Sequence, residues 1–319
     1  MGPRQVRRLR WQGHEEEARS LCRPEGAQPF ALAEAPLGRC SAEWTDEYLE
    51  ACLGDFKISA HVSPTAGLDF VSKNFAYKVM PLREFLRLVR REDGDQQYYY
   101  YRSEHTKRNK PSSLEVLGPL AADFQLPAGL LEGLAVHSTV LRIASAGMRM
   151  WLHYDICDNF LCCVRGRKRV LLFPPRDVGR LYIGSSSSSL GSRLLDPEAT
   201  ASAALWREFP LAREPWEARY EVLLEEGEVL FIPAMWLHCT EACPLEGQSG
   251  GVCISVNLFF IRPERAALHD PKDVWANREL LPAQEAMKGL EALRRLPQEA
   301  RSFYCRKAAA ALMAMAAEE

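Results

Sequence analysis

The alternation of apolar and polar side chains changes character twice along the chain. Near its start, Thr45-Asp46-Glu47 supplies an N-cap with acids in the first turn, which predicts a short helix to about Leu53. Phe56, Ile58, Ala60 and Val62 then alternate with Lys57, Ser59 and His61, the pattern of a half-buried strand. Pro81 opens a second helix in which Leu82, Phe85, Leu86 and Val89 recur at helical spacing, before the charged stop Arg90-Arg91-Glu92-Asp93-Gly94. Tyr98 to Tyr101 reads as extended, and Lys107 to about Pro127 as loop, with a weak helix around Leu114 to Phe124. The middle of the chain is a series of short apolar segments separated by Gly and Ser turns. Thr139 to Ile143 is one; Phe160 to Val164 and Arg169 to Phe173 form a hairpin turned at Gly166-Arg167 and ended by Pro174-Pro175. Tyr220 to Leu224, a turn at Glu226-Gly227, Val229 to Ile232, Leu237 to Thr240 and Val252 to Phe260 follow, and many short strands at regular spacing predict a sandwich or jelly roll. Beyond Pro263 the chain turns helical, with one helix over Asn277 to Leu296, strained at Pro282, and another from Pro297-Gln298-Glu299 towards the end. The division expected is a lead-in over residues 1–36, a β domain over 37–262 and a helical segment over 263–319. Gly184 to Ser189, with its five serines, reads as a flexible insertion.

Composition narrows this picture. With 319 residues, 47% hydrophobic and 26% charged, the chain can bury one sizeable core. It contains no apolar run of the roughly 18 residues a membrane span needs, so none is expected. Arg4, Arg7, Arg8 and Arg10 precede the first acid, a faint transit-peptide feature, but no apolar stretch follows and Glu15, Glu16 and Glu17 come soon after. The segment is read as a solvated tail. Ten cysteines are scattered, with no C-x-x-C pair suited to zinc, which fits reduced thiols in an intracellular chain, cytoplasmic or nuclear. A net charge of -2 gives no global field for nucleic acid. Local basic clusters exist at Lys107, Arg108 and Lys110 and at Arg165, Arg167, Lys168 and Arg169, although a solvated loop and an ordinary hairpin explain them on composition alone.

Candidate chemistry centres on histidine. On a strand, residues two apart face the same side, so His153 and Asp155 can offer an imidazole and a carboxylate to one ion. Lone H-x-D strings are common in surface loops, so this pair needs support. His238 supplies it, on a strand-like segment entered through Phe231-Ile232-Pro233-Ala234-Met235-Trp236, though a satisfied core histidine beside Trp236 is the competing explanation. Two histidines and one carboxylate make a facial triad, leaving positions on iron(II) for a chelating keto acid and dioxygen. His14, His61, His105, His137 and His269 have no partner at useful spacing. A 2-oxoglutarate enzyme also needs a buried cation for the distal carboxylate. Lys168 is placed for it, but Arg165, Arg167 and Arg169 are equally charged, and neither parity nor charge chooses among them. Asn159 can bond the keto-acid end and a tyrosine of the 98–101 run the distal one, with strand packing as the plainer role for those tyrosines.

The strings His153-Tyr154-Asp155, Asp158-Asn159-Phe160-Leu161, Gly166-Arg167-Lys168-Arg169-Val170, Phe173-Pro174-Pro175, Leu230-Phe231-Ile232-Pro233 and Trp236-x-His238 resemble the JmjC hydroxylases of the small, cupin-like type. Ser72-Lys73-Asn74-Phe75, Tyr99-Tyr100-Tyr101-Arg102-Ser103 and a helical C-terminus with Phe303-Tyr304 extend the resemblance to the family of tRNA wybutosine-synthesizing hydroxylases, over roughly residues 37 to 310. The resemblance implies a mainly β fold with flanking helices, a double-stranded β-helix with a C-terminal helical segment. It also implies iron(II) in His153, Asp155 and His238, and 2-oxoglutarate contacted by Tyr100, Asn159 and Lys168, with Asn257 a weaker addition. The implied substrate is the wybutosine-type side chain of guanosine 37 in the anticodon loop of phenylalanine tRNA, hydroxylated as 2-oxoglutarate is decarboxylated to succinate. A homodimer through the C-terminal helices is implied as well. Such a base must be flipped into the pocket and its phosphates gripped, for which Lys107, Arg108, Lys110, Arg165 and Arg167 are candidates. Departures from the family pattern are the Ser185 to Ser189 insertion, Leu152 before the first histidine, and the poorly matching N-terminal thirty-odd residues. Two other functions compete: a protein hydroxylase or lysine demethylase using the same iron, and a non-catalytic cupin-like binding module. The module should have lost a ligand or Lys168, and all four are present.

Overall fold

Near-continuous apolar runs such as Phe160 to Val164 and Val229 to Ile232 leave central strands with two faces to bury, and the chain answers with two sheets and cover on both outer sides. The computed structural model describes residues 2–22, 27–69, 73–90, 97–127, 129–130, 134–184, 194, 203–246 and 251–317. Its strands in chain order are β1 (Arg4–Gln5), β2 (Arg7–Arg10), β3 (Phe30–Ala33), β4 (Lys57–Ser63), β5 (Ala76–Pro81), β6 (Tyr98–Arg102) and β7 (Val136–Ser145), then β8 (Arg149–His153), β9 (Asp158–Arg165), β10 (Arg167–Phe173), β11 (Tyr220–Leu224), β12 (Val229–Ile232), β13 (Leu237–Cys243) and β14 (Val252–Phe260). One sheet has the order β1-β11-β10-β13-β8, the other β2-β3-β12-β9-β14-β7-β6-β4-β5. Side chains of both, among them Leu161, Cys163 and Leu230 of the large sheet and Val170, Leu172 and Val222 of the small one, meet in a shared core. The sheets therefore face one another as a jelly roll.

The outer face of the large sheet, with Phe160, Cys162 and Val164 of β9, is covered by Leu49, Leu82, Phe85 and Leu120 from helices. Leu171 and Phe173 of β10 and Leu237 of β13 point the other way, under Phe209, Ala212 and Trp216. Helix 46–53 forms as predicted, its first turn capped by Thr45, whose hydroxyl accepts from the Tyr48 amide at 3.2 Å. Helix 82–89 buries all four of its periodic apolar residues. The weak helix of residues 114–124 is broken at Gly118, φ 53°, into a 3-10 turn over Leu114–Leu117 and a short helix over Pro119–Asp123.

Several expectations need correction. The N-terminal segment is not a solvated tail: β1 pairs in parallel with β11, and β2 in parallel with β3. Its arginines look outward, Arg7 to Glu17 and Arg8 to Glu228, while Val6 and Leu9 are buried between them. Four arginines among so few residues mask two apolar anchors, and the strand that pairs with β1 lies far away in sequence. Pro282 strains nothing, because the helix runs Leu281–Ala292 and a proline in the first turn has no hydrogen bond to lose. The H-x-D pair does not share a strand, since β8 ends at His153 and Asp155 lies just beyond it. The Ser185 to Ser189 insertion, Ser72 and the Arg91 to Gly94 stop lie outside the described residues. Among the described residues, no helix is long and apolar enough to cross a membrane.

Candidate metal centre

Antiparallel pairing of β8 with β13 sets His153 directly opposite His238, with ring centroids 4.3 Å apart. Asp155, two residues past His153, brings its carboxylate to 3.6 Å from His238 Nε2. The candidate ligand atoms of the three residues all lie within 4.8 Å of one another, and no other such group of His, Cys, Asp or Glu occurs among the described residues. Each histidine Nδ1 donates to the backbone carbonyl two residues earlier, His153 to Trp151 at 2.7 Å and His238 to Trp236 at 3.0 Å. Those bonds hold the proton on Nδ1 and leave each Nε2 lone pair for an ion. Burial, reinforced by the neighbouring His238, pushes His153 down to about 4, so its imidazole is neutral and ready to ligate at neutral pH. The Met235 amide donates to the Asp155 carbonyl at 2.9 Å, tying the carboxylate loop to the approach of β13. Two imidazoles and a carboxylate converging from one side suit a first-row divalent ion such as iron(II), with positions left open opposite them.

The centre opens into a cavity of about 120 Å3 between the sheets that is open to solvent at its mouth. Tyr100, Asn159 and Lys168 line it together with the three candidate ligands, so the structure gathers all six predicted residues around one cavity. The choice among the basic residues of the hairpin is made by strand parity. Lys168, 6% exposed, shares the inward face of β10 with Val170 and Leu172. Arg167 and Arg169 face outward, to Glu225 at 3.1 Å and Glu221 at 2.7 Å, and Arg165 donates to the Trp44 and Ala42 carbonyls at 3.3 Å each. Parity puts Tyr99 and Tyr101 in the core on the opposite face of the sheet, and of Tyr98 and Tyr100 on the inner face Tyr100 lines the cavity.

Asn257, a lesser candidate by sequence, is central to a network on the cavity wall. Its amide donates to Asn159 Oδ1 at 3.1 Å, and its own oxygen accepts from Arg142 Nε at 2.8 Å. Arg142 Nη1 in turn donates to the Tyr100 hydroxyl. Sequence reading missed Arg142. The available signal was a single charge at an inward position of the otherwise uncharged run Val140 to Ser145. It also missed Trp275 and Asn277, which reach the mouth of the cavity from the segment after β14.

Of the basic residues proposed to grip phosphate, Arg165 and Arg167 are engaged by the partners just described and are absent from the cavity wall. Lys107, Arg108 and Lys110 are exposed, and Lys110 borders a groove that shares Ser138 with the cavity. Two histidines without sequence partners also meet, His137 and His269 at 5.4 Å between centroids, with His269 Nε2 3.5 Å from Asp273.

Comparison with known proteins gives a consistent result. Residues 24–265 match the cupin-like domain. The chain is 35% identical over 292 residues to the tRNA wybutosine-synthesizing protein 5 of Gallus gallus, covering 88% of this chain and 86% of that protein. It is 32% identical over 292 residues to the Homo sapiens protein of the same name, covering 88% and 87%. A fungal relative, tRNA wybutosine-synthesizing protein 4 of Neurospora crassa, is 36% identical over 310 residues, which is 94% of this chain and 24% of that protein.

Proposed function

The chain belongs to the cupin-like family and, within it, to the wybutosine-synthesizing proteins, and on that premise we propose that it is an iron(II)- and 2-oxoglutarate-dependent tRNA hydroxylase. Membership carries a role in the wybutosine pathway with tRNA as substrate. The finer reading is hydroxylation of the wybutosine-type side chain at guanosine 37 of phenylalanine tRNA, and one observation supports it above all. A facial triad and a single inward lysine share one cavity with Tyr100 and Asn159.

Each residue has a task that its chemistry suits. His153 and His238 would hold iron(II) through Nε2, and Asp155 through its carboxylate. Bound there with 2-oxoglutarate, iron supplies the oxidative chemistry that consumes dioxygen, releases succinate and carbon dioxide and leaves a hydroxyl on the substrate carbon. The Lys168 ammonium neutralises the distal carboxylate of 2-oxoglutarate, and the Tyr100 hydroxyl donates to it. The Asn159 amide orients the chelating end, steadied by Asn257. Arg142 fixes Tyr100 and Asn257 relative to one another, so a shift in one is resisted by the other. Val140, Leu161 and Ile232 give the wall apolar patches that keep bulk water from the reacting carbon.

The test is to incubate the purified chain with iron(II), 2-oxoglutarate and either tRNA from cells that make wybutosine precursors or a peptide library, reading succinate and product mass. A gain of one oxygen on the tricyclic base supports the reading. Succinate stimulated by peptides alone would move the function to protein hydroxylation with the same iron, and no succinate from either would leave a binding module. We also propose a homodimer through the C-terminal helix Gln298–Met315, which buries none of its residues and leaves Phe303 62% and Met313 72% exposed. Ten free thiols fit a reducing, cytoplasmic setting.

A further inference from the structure

The mouth of the cavity carries a large side chain with no task in the chemistry above. Trp275 lines the same space as His153 and Asp155 and keeps 36% of its surface exposed. An indole held at the water's edge forfeits burial that a bound partner can restore, and it offers a flat π surface to whatever enters.

The segment that presents it is pinned in place. The buried Asp273 carboxylate accepts from the Arg278 amide at 2.9 Å, and His137 Nε2 lies 3.3 Å from the Val274 carbonyl. Ala276, next to Trp275, is buried against Ile156 and Cys157, the residues that directly follow the candidate metal carboxylate. It has φ 50°, a conformation that a residue with a Cβ keeps only where its surroundings impose it. Trp275 is thus held in fixed relation to the centre. Arg102, two residues beyond Tyr100 on β6, stacks its guanidinium over the indole, 4.1 Å from the ring centroid.

We propose that Trp275, backed by Arg102, is a stacking subsite that receives a flat nucleobase at the cavity mouth. Arg102 covers one face of the indole, and both side chains line the cavity while Trp275 keeps part of its ring open to solvent. Stacking on an aromatic platform needs no hydrogen-bond code and rewards wide, fused ring systems, so a tricyclic base gains more from it than guanine does. The subsite would thereby contribute to selecting tRNA that already carries the tricycle over tRNA that does not. This inference rests on the RNA reading given above.

The experiment measures binding of the full chain to phenylalanine tRNA in two forms, one with the tricyclic precursor and one with unmodified guanosine, by fluorescence anisotropy. The wild type is expected to prefer the tricyclic form by about tenfold, the extra stacking that the wider ring makes over guanine on such a platform. Trp275→Phe, which keeps a π face, should retain most of that preference. Trp275→Leu, which keeps apolar bulk without one, should lower it to about threefold or less. A second readout does not depend on the leucine variant folding. Tricyclic tRNA should quench indole emission in the wild type, and the quench should shrink in Trp275→Phe. Full preference in Trp275→Leu, or an unchanged quench in Trp275→Phe, overturns the subsite and leaves the RNA reading standing. A wild type without preference between the tRNAs, combined with succinate release on peptides alone, overturns both.

Discussion

Lys168 and its neighbours Arg167 and Arg169 differ less in chemistry than in which side of β10 the backbone gives them. Lys168→Ala should raise the KM for 2-oxoglutarate about tenfold or more, the cost of a lost charge-assisted contact in a buried site, as read by succinate release. Arg167→Ala and Arg169→Ala lose only rim ion pairs and should stay within about twofold. His153→Ala removes one of three converging ligands, so cobalt(II) titration should show loss of the site's metal absorption while circular dichroism stays native. His61 makes a prediction about stability. Packed against Phe75, Tyr77 and Tyr100, it is pushed from 6.5 down to about 4, chiefly by burial and then by Arg102 and Arg142. The unfolded chain therefore takes up the proton first. The stability tied to a neutral His61 is whole above about pH 6.5 and is lost as pH falls towards 4, on the order of 3 kcal/mol in all. Denaturant melts of His61→Phe across that window should show a flatter decline than the wild type. At this scale the three candidate ligands were legible because their residue types and spacing are rare in combination. Lys168 could not be singled out before the register of β10 was known, and Trp275 was hidden in a helix-rich composition that gave no sign it returned to the cavity.

Turns decide whether strands deliver their side chains to the right face. Gly166 joins β9 to β10 with φ 72°, and a Cβ there would meet the Val252 carbonyl oxygen at 2.4 Å. Gly166→Ala should cost more than about 2 kcal/mol, combining left-handed strain with a clash against backbone that cannot give, and thermal unfolding would register it. It should also raise the KM for 2-oxoglutarate, because Lys168 is two residues away. An unchanged melting point would mean that the hairpin has another geometry. The central strands could be read from sequence because Gly and Pro bound short apolar runs, and β9 is buried along most of its length. β5 could not, since it is an edge strand whose first four residues are exposed and which supplies little periodicity. The bounds of β8, assumed to run through Asp155, escaped because its Met, Trp and Leu run has no clean alternation, and β1 escaped because two arginine-flanked residues carry no pattern at all.

At the scale of the molecule, the jelly roll was foreseeable from the number and spacing of short strands, whereas the way its two sheets are joined was not. The exposed apolar side chains of helix Gln298–Met315 give the homodimer proposal its test. Replacing Phe303 and Met313 together by Glu should convert a dimer to a monomer in sedimentation analysis, and an unshifted wild-type monomer at micromolar concentration would refute it. A different consequence follows from the arginine-rich start of the chain. Within a few residues it adds β1 to one sheet and β2 to the other, and Arg4 finds its register partner at Tyr220. During synthesis β2 can meet β3 early, but β1 has to wait for more than two hundred residues to emerge before it can be placed. Closure of the barrel is then a late, long-range event, governed by loop entropy more than by local preference. A ribosome stalled before Tyr220 should expose a nascent chain whose leading strand remains open to proteases, and release of the remaining length should protect it.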